Sequence, residues 1–141
     1  VMFDKDTRKC ICVIDLDTVM PGLALYDFGD SIRFGASTAA EDETVLDKVE
    51  MDLDYFKAYA EGFLGEAGEY FNQAEIDNLA FASKLMTLEC GMRFLTDYIN
   101  GDVYFRTEYP EHNLDRARNQ FKLVADMDSK MDKMEEIIKN I

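Results

Sequence analysis

Helical periodicity covers most of this chain and constrains its fold more than any other feature. From residue 52 onwards, apolar side chains recur at spacings of three and four, which places them on one face of an α-helix. The pattern predicts a helix from near Asp52, a long segment of one or two helices from Asn72 to Asn100-Gly101, and a last helix capped by Asn113. The middle stripe contains Ile76, Leu79, Leu85, Leu88, Met92, Leu95 and Ile99.

The first residues indicate strands instead. Val1 to Asp4 and Cys10 to Ile14 are strand-like, and the polar link between them suits a hairpin. Because residues 10–14 are continuously apolar, we expect the second strand to be buried on both faces. A loop over 16–22, a short helix over 26–34 and a loop over 35–44 follow. The predicted fold is therefore mainly α with an N-terminal β-hairpin.

Length and charge narrow the classes of function. A chain of 141 residues with 48% hydrophobic side chains can form one domain. Its formal charge of −14 disfavours nucleic acids and anionic membranes as partners. No transmembrane span or secretory signal is visible, which favours a cytoplasmic location. Cys10 and Cys12 are too close for an ordinary disulfide, and with His112 as the single histidine a metal site would be built from carboxylates.

The first candidate site is the Asp15-Leu16-Asp17 segment after the apolar strand. A strand that delivers a carboxylate to its tip gives a rigid mount for a hard cation such as Mg²⁺. Asp17 points the same way as Asp15 if the extended geometry persists. The alternative is two solvated aspartates at the start of a loop.

The second candidate follows the Pro21-Gly22 turn. Asp27 stands where a short helix begins, so its carboxylate is suited to accept backbone N–H bonds and to fix the neighbouring loop. As a local cap alone it would need no function. The order of strand, Asp-x-Asp, Pro-Gly loop and Tyr-Asp-Phe-Gly-Asp helix start is more specific than either piece.

Residues 12–37, CVIDLDTVMPGLALYDFGDSIRFGAS, resemble the metal-binding segment of the aminoglycoside phosphotransferase and choline kinase superfamily, in particular its N-acetylhexosamine 1-kinase branch. The resemblance continues to the last helix, so residues 1–141 correspond to the C-terminal lobe of a kinase-like fold. It implies that Asp15 holds the Mg²⁺ that bridges the phosphates of ATP, with Asp17 near the metal or the sugar. It also implies that Asp27 braces the catalytic loop, and that the literal Asp-Phe-Gly is a coincidence.

Two parts of the family pattern have no match in these residues. The His-x-Asp catalytic loop with its later Asn, which supplies the general base, would lie upstream of the hairpin, as would the ATP-clamping lobe. Since Val1 already lies in a strand, we expect the chain to be truncated. The intact protein is then a kinase, and these residues alone are expected to be inactive. Surface exposed by truncation would permit self-association.

Substrate binding is assigned to the later helices. The segments GMRFLTDY and GDVYFR resemble those that carry a sugar-binding arginine and tyrosine, which implies Arg93 and Tyr104 here. Ion pairs of Arg93 with Glu89 and Asp97 are a sufficient alternative, and Tyr104 could equally be core. The reaction implied is MgATP-dependent phosphorylation of a sugar or amino sugar, at the anomeric hydroxyl of an N-acetylhexosamine.

Two rival functions remain open at this point. The Asp-x-Asp-Thr-Val segment also fits a haloacid-dehalogenase-like phosphatase with Asp15 as nucleophile, although such enzymes continue as alternating strands and helices around a parallel sheet. A helical interaction domain without chemistry would make both aspartates incidental. The methionine-rich stripe of the last helix invites a partner-helix reading, but packing in the core is the favoured interpretation.

Overall fold

The computed structural model describes every residue from Val1 to Ile141 and is mainly helical. Two short strands, β1 (Met2–Phe3) and β2 (Cys10–Cys12), come before five α-helices. The helices are α1 (Ala24–Gly35), α2 (Leu53–Ala67), α3 (Gln73–Asp77), α4 (Leu79–Ile99) and α5 (His112–Lys139). None of them combines the length and the apolar content that a membrane span requires. The mainly helical class with an N-terminal hairpin is thus confirmed.

The predicted hairpin is present but is not buried. Strands β1 and β2 pair antiparallel, with Met2 opposite Cys12, and the turn is closed by Asp4, whose Oδ1 accepts the Thr7 N–H at 2.7 Å. Hydrogen bonds from the N–H and the hydroxyl of Thr7 lower the pKa of Asp4. The expectation of a strand buried on both faces was wrong: β2 ends at Cys12, and Ile11, Val13 and Ile14 are exposed. Apolar sequence alone cannot bury a two-stranded ribbon that no second layer covers.

Side-chain caps are present at the starts of α2 and α3 but not at the start of α5. Asp52 caps α2 by accepting the N–H groups of residues 54 and 55 at 2.8 and 3.0 Å. Asn72 forms a capping box with Glu75, and the segment that follows is two helices, because α3 ends before Asn78. Asn113 is not the cap of α5, which begins one residue earlier at His112. Its amide instead donates hydrogen bonds to the buried carboxylate of Asp97 and to the half-buried carboxylate of Asp102.

The core forms where α1, α2 and α5 meet. Phe28 is fully buried and packs edge-on against the rings of Phe56 and Phe63, with centroid distances of 6.0 and 5.2 Å. From α5, Met127 and Met134 are also fully buried. The favoured interpretation of the methionine stripe as core is therefore confirmed for these two side chains. In the Asp27-Phe28-Gly29 triplet the aromatic ring is therefore a core residue.

Helix α4 packs through small residues. The position of a Cβ added to Gly29 of α1 would lie 2.5 Å from the carbonyl oxygen of Ala82, so the two helices touch through backbone. On the α5 side, a Cβ at Gly91 would lie 2.9 Å from the ring of Phe121. The buried residues of α4 are mostly small or polar: Leu79, Ala80, Ala82, Ser83, Thr87, Cys90, Gly91, Phe94 and Asp97. Apart from Leu79, the apolar residues whose spacing predicted this helix are exposed or half-buried.

Candidate functional site

Asp15 and Asp17 follow the hairpin and are both exposed. The backbone of Asp15 is left-handed, with φ of +66°, a conformation that costs non-glycine residues energy but that Asp adopts more readily than most. The extended geometry that would align Asp15 with Asp17 therefore does not persist, and the chain turns at Asp17 and Thr18. An exposed carboxylate can reach a ligand, although exposure alone does not make a site.

A complete protein cage for a metal is absent. No group of three or more histidine, cysteine, aspartate or glutamate side chains is placed to hold an ion. Mg²⁺ is commonly bound by one or two carboxylates together with substrate phosphates and water, so Asp15 and Asp17 fit that ion as a partial donor set. The chemistry of these oxygens suits Mg²⁺ and would not suit a soft metal.

The helical body contains a cleft of about 600 Å³. It lies between α1, α4, the loop after α4 and the start of α5. Asp27 lines it from the first turn of α1, and Arg93 lines it from α4. Two residues predicted from separate segments of the sequence thus share one cleft. Its lining also includes the aromatic side chains of Tyr26, Phe94 and Phe105.

Asp27 does not cap its helix. Helix α1 begins at Ala24, so Leu23 occupies the N-cap position and Asp27 lies within the first turn. The local capping expectation was therefore wrong, because the helix starts before the residue that the pattern marked. Asp27 is exposed, and it also lines a second cavity of about 450 Å³ with the loop over residues 18–22. Asp27 thus borders both the cleft and the loop that follows Asp17.

Arginine is concentrated in the cleft. Although the chain carries a net charge of −14, four of its arginines lie in this lining together with four carboxylates. Such a lining offers many hydrogen-bond donors and acceptors at close spacing, which suits a polyhydroxylated or charged ligand better than an apolar one. The eight side chains are Arg33, Arg93, Arg106, Arg116, Asp27, Asp30, Glu41 and Glu89.

Part of this lining is an ion-pair network that sequence spacing does not reveal. The guanidinium of Arg33 pairs with Asp30 at 2.9 Å and with Glu41 from the loop after α1. Glu41 also lies 3.9 Å from Nε of Arg116, a buried nitrogen that donates no hydrogen bond. Burial opposes ionisation of Arg33, but its bonds to the two carboxylates prevail and raise its pKa. Arg33 therefore stays charged in the wall of the cleft, paired with Asp30 and Glu41.

Arg93 and Tyr104 come together at the rim. The guanidinium carbon of Arg93 lies 5.7 Å from the centroid of the Tyr104 ring and 5.4 Å from that of Phe105. Both predicted residues line a neighbouring groove of about 440 Å³. The ion pair of Arg93 with Glu89, which is the alternative to a sugar-binding role, is present at 3.7 Å. Tyr104 is exposed, so the alternative of a core tyrosine was wrong.

Asp97, the other predicted partner of Arg93, has a different role that the sequence did not disclose. Its side chain is buried and accepts the backbone N–H groups of Val103, Tyr104 and Phe105 at 3.0, 2.9 and 2.9 Å. Asn113 adds an amide hydrogen bond at 2.9 Å. Burial works against the charged carboxylate, but these donors prevail and lower its pKa. Asp97 thereby fixes the loop that carries Tyr104.

The structure brings together only some of the predicted site. Asp27 and Arg93 share the cleft, and Arg93 and Tyr104 share the groove beside it. Asp15 and Asp17 line neither cavity. No protein-family model matches the chain.

Proposed function

We propose that this chain is the C-terminal, acceptor-binding lobe of a kinase-like phosphotransferase that uses ATP and Mg²⁺ to phosphorylate a sugar or amino sugar. The expected acceptor is the anomeric hydroxyl of an N-acetylhexosamine. The observation that carries the proposal is the cleft, because it contains Asp27 from the segment that resembles the kinases and Arg93 from an independent segment. The dense polar lining also suits a sugar, whose hydroxyl groups need both donors and acceptors.

In this proposal each group has a separate task. Asp15 and Asp17 hold Mg²⁺, which when bound offsets the negative charge of the transferring phosphates. Arg93 and Tyr104 bind and orient the acceptor, with the faces of Tyr104 and Phe105 available to the C–H groups of a sugar ring. The pairs of Glu41 with Arg33 and Arg116 keep the opposite wall in place. The general base and the ATP clamp are supplied by the part of the protein that the resemblance places upstream.

The rivals differ in what they require of the fold. A haloacid-dehalogenase-like phosphatase needs a parallel sheet, and the only sheet in residues 1–141 is an antiparallel pair of strands. A phosphorylated Asp15 after incubation with a phosphate ester would nevertheless favour it. If the chain is a helical interaction domain, the protein should neither bind MgATP nor transfer phosphate from it.

The test is phosphoryl transfer by the full-length protein from ATP to a panel of N-acetylhexosamines, measured as sugar phosphate and ADP. Asp15→Asn should lower kcat by roughly a hundredfold or more, because it weakens the metal-binding carboxylate. Asp47→Asn is the matched control, since Asp47 is exposed on the 3-10 turn over Leu46–Lys48. Turnover by residues 1–141 alone, or an Asp15→Asn enzyme as active as the control, would contradict the proposal.

A further inference from the structure

His112, the first residue of α5, is a buried histidine with a partner at each ring nitrogen. Its Nδ1 lies 3.1 Å from the backbone nitrogen of Glu108, and its Nε2 lies 3.3 Å from Oδ2 of Asp42. Because a backbone N–H can only donate, Nδ1 is the acceptor and carries no proton. The proton of the neutral ring is therefore on Nε2, which donates it to Asp42.

Through these two bonds His112 joins both loops beside the cleft. Asp42 lies in the loop after α1 and follows Glu41, an acidic residue of the cleft lining. Glu108 belongs to the loop after α4, two residues beyond Arg106, which also lines the cleft. A change in this one imidazole can therefore reach both sides of the cleft.

The loop after α4 is held in two parts by two different side chains. Asp97 accepts the N–H groups of residues 103–105 and fixes the first part. Among residues 106–111, the only backbone N–H with a hydrogen-bond partner is that of Glu108, which donates to His112. The second part of the loop therefore depends on an Nδ1 that carries no proton.

A proton added to the imidazole would break one of its two bonds and keep the other. A protonated Nδ1 is a donor, so it would face the N–H of Glu108 donor to donor, and their hydrogen bond would be lost. The positive ring would still donate from Nε2 to Asp42, now as an ion pair. Histidine is the side chain that ordinarily changes charge between pH 5 and 8. Acidification would thus free Glu108 and leave Asp42 bound.

The other titratable and charged groups around the ring do not replace the lost bond. Tyr109 stacks on the imidazole at a centroid distance of 4.5 Å. Burial, together with the carboxylates of Asp115 and Asp42, raises the pKa of Tyr109, so its hydroxyl stays neutral in this range. Arg116, one turn further along α5, donates to the carbonyl of Arg106 at 3.1 Å. None of these groups offers an acceptor to the freed N–H in the structure.

We propose that His112 is a pH-dependent positioning residue for the loop after α4. The neutral ring holds residues 106–111 against α5, and the protonated ring releases them. Because Arg106 lines the cleft, release loosens one side of the acceptor site. The release itself does not depend on the phosphotransferase assignment, whereas its effect on the acceptor rests on the proposed function.

The first test is hydrogen–deuterium exchange of the full-length protein at pH values from 5 to 8. His112→Asn is the reference at each pH, because its side-chain oxygen can accept from Glu108 and does not titrate. The Glu108 amide of the wild type should match the reference at pH 8 and exchange roughly fivefold faster at pH 5, since one hydrogen bond is lost. Residues 103–105, which Asp97 holds, are the internal control and should stay protected in both proteins.

The second test needs no change in the buried ring and therefore stands even if His112→Asn does not fold. Asp42 is exposed, and Asp42→Asn removes the charge that favours the positive imidazole. The pH at which Glu108 is released should then fall by about half a unit, as expected for a partly exposed ion pair. Asp47→Asn, on the turn over Leu46–Lys48, is the matched control and should leave this pH unchanged.

The third test carries the inference to the acceptor. The acceptor KM of the wild type should rise several-fold from pH 8 to pH 5 relative to that of His112→Asn, while the KM for ATP follows the same course in both proteins. A protein without phosphotransferase activity would contradict the proposed function but not the release of the loop, which exchange measures directly.

Two results would overturn the inference. One is equal exchange of the Glu108 amide in the wild type and in His112→Asn at every pH. The other is a release pH that Asp42→Asn leaves unchanged or raises.

Discussion

The guanidinium carbon of Arg93 lies 5.7 Å from the centroid of the Tyr104 ring, although the two residues come from a helix and from the loop after it. Their approach depends on Asp97, which lies one helical turn beyond Arg93 and binds the backbone N–H groups of residues 103–105. The helix thus positions both members of the pair, Arg93 directly and Tyr104 through Asp97.

Arg93→Ala in the full-length enzyme should raise the KM for the acceptor roughly tenfold and leave the KM for ATP within about twofold. The change removes a charged donor from the rim of the cleft and its stacking on Tyr104 and Phe105. Steady-state kinetics with each substrate varied in turn gives both constants. Tyr104→Phe, which keeps the ring, should behave more like wild type than Tyr104→Ala. An acceptor KM that Arg93→Ala leaves unchanged would remove Arg93 from the site.

Asp97→Asn should lower the melting temperature, because the amide cannot replace the carboxylate as the acceptor of three N–H bonds. Since the pKa of Asp97 is lowered on folding, its stabilising effect is present above the ordinary carboxyl pKa of 3.8 and is lost as the pH falls through its lowered value. The wild type should therefore lose more stability than the variant when acidified below this range. Thermal denaturation across a pH series measures the difference. Asp132→Asn, at an exposed position of α5, is the control and should match wild type.

Gly29→Ala should reduce the free energy of unfolding by about 1 to 3 kcal/mol, because its Cβ would collide with the backbone of Ala82. Gly62→Ala, in α2, meets nothing within 4 Å and should raise it by about 0.5 to 1 kcal/mol through a better helix propensity. Urea denaturation of the two variants measures both signs. Equal effects would show that α1 and α4 are not in backbone contact.

The three cysteines should differ in reactivity. Cys10 and Cys12 are exposed, whereas burial raises the pKa of Cys90 to about 11, with nearby Arg33 only partly opposing the rise. At pH 8 the thiolate fraction of Cys90 is then about one part in a thousand. Iodoacetamide should add two groups quickly and the third only after denaturation, as measured by intact mass. Rapid addition to a Cys10→Ser, Cys12→Ser double variant would contradict this.

Local signals in the sequence predicted much of the fold. The helix start near Asp52 and the cap at Asn72 are present because each depends on a few adjacent residues. The prediction that residues 10–14 are a buried strand was wrong. Burial depends on whether a second layer covers the strand, and the sequence of the strand itself does not determine that. The cap at Asn113 was wrong because a tertiary partner, Asp97, competes for its side chain.

The candidate site was predictable only where resemblance or short spacing applied. The structure places Asp27, Arg93 and Tyr104 around one cleft and its neighbouring groove, whereas Asp15 and Asp17 line neither. The pairing of Arg33 with Glu41 and the proximity of Glu41 to Arg116 join different elements, so no local pattern contains them. Spacing offered Asp97 only as an alternative ion-pair partner of Arg93, since helical spacing cannot tell an exposed carboxylate from one that binds a loop.

The inner side of α4 has a consequence for protein engineering. Because small residues such as Ala82 and Gly91 bring its backbone against α1 and α5, mutations there have almost no room, whereas the outward positions touch little of the fold. Libraries built at Leu85, Met92 and Ile99 should therefore yield mostly folded proteins. The inner contacts fix the position of α4, and its exposed residues can be substituted.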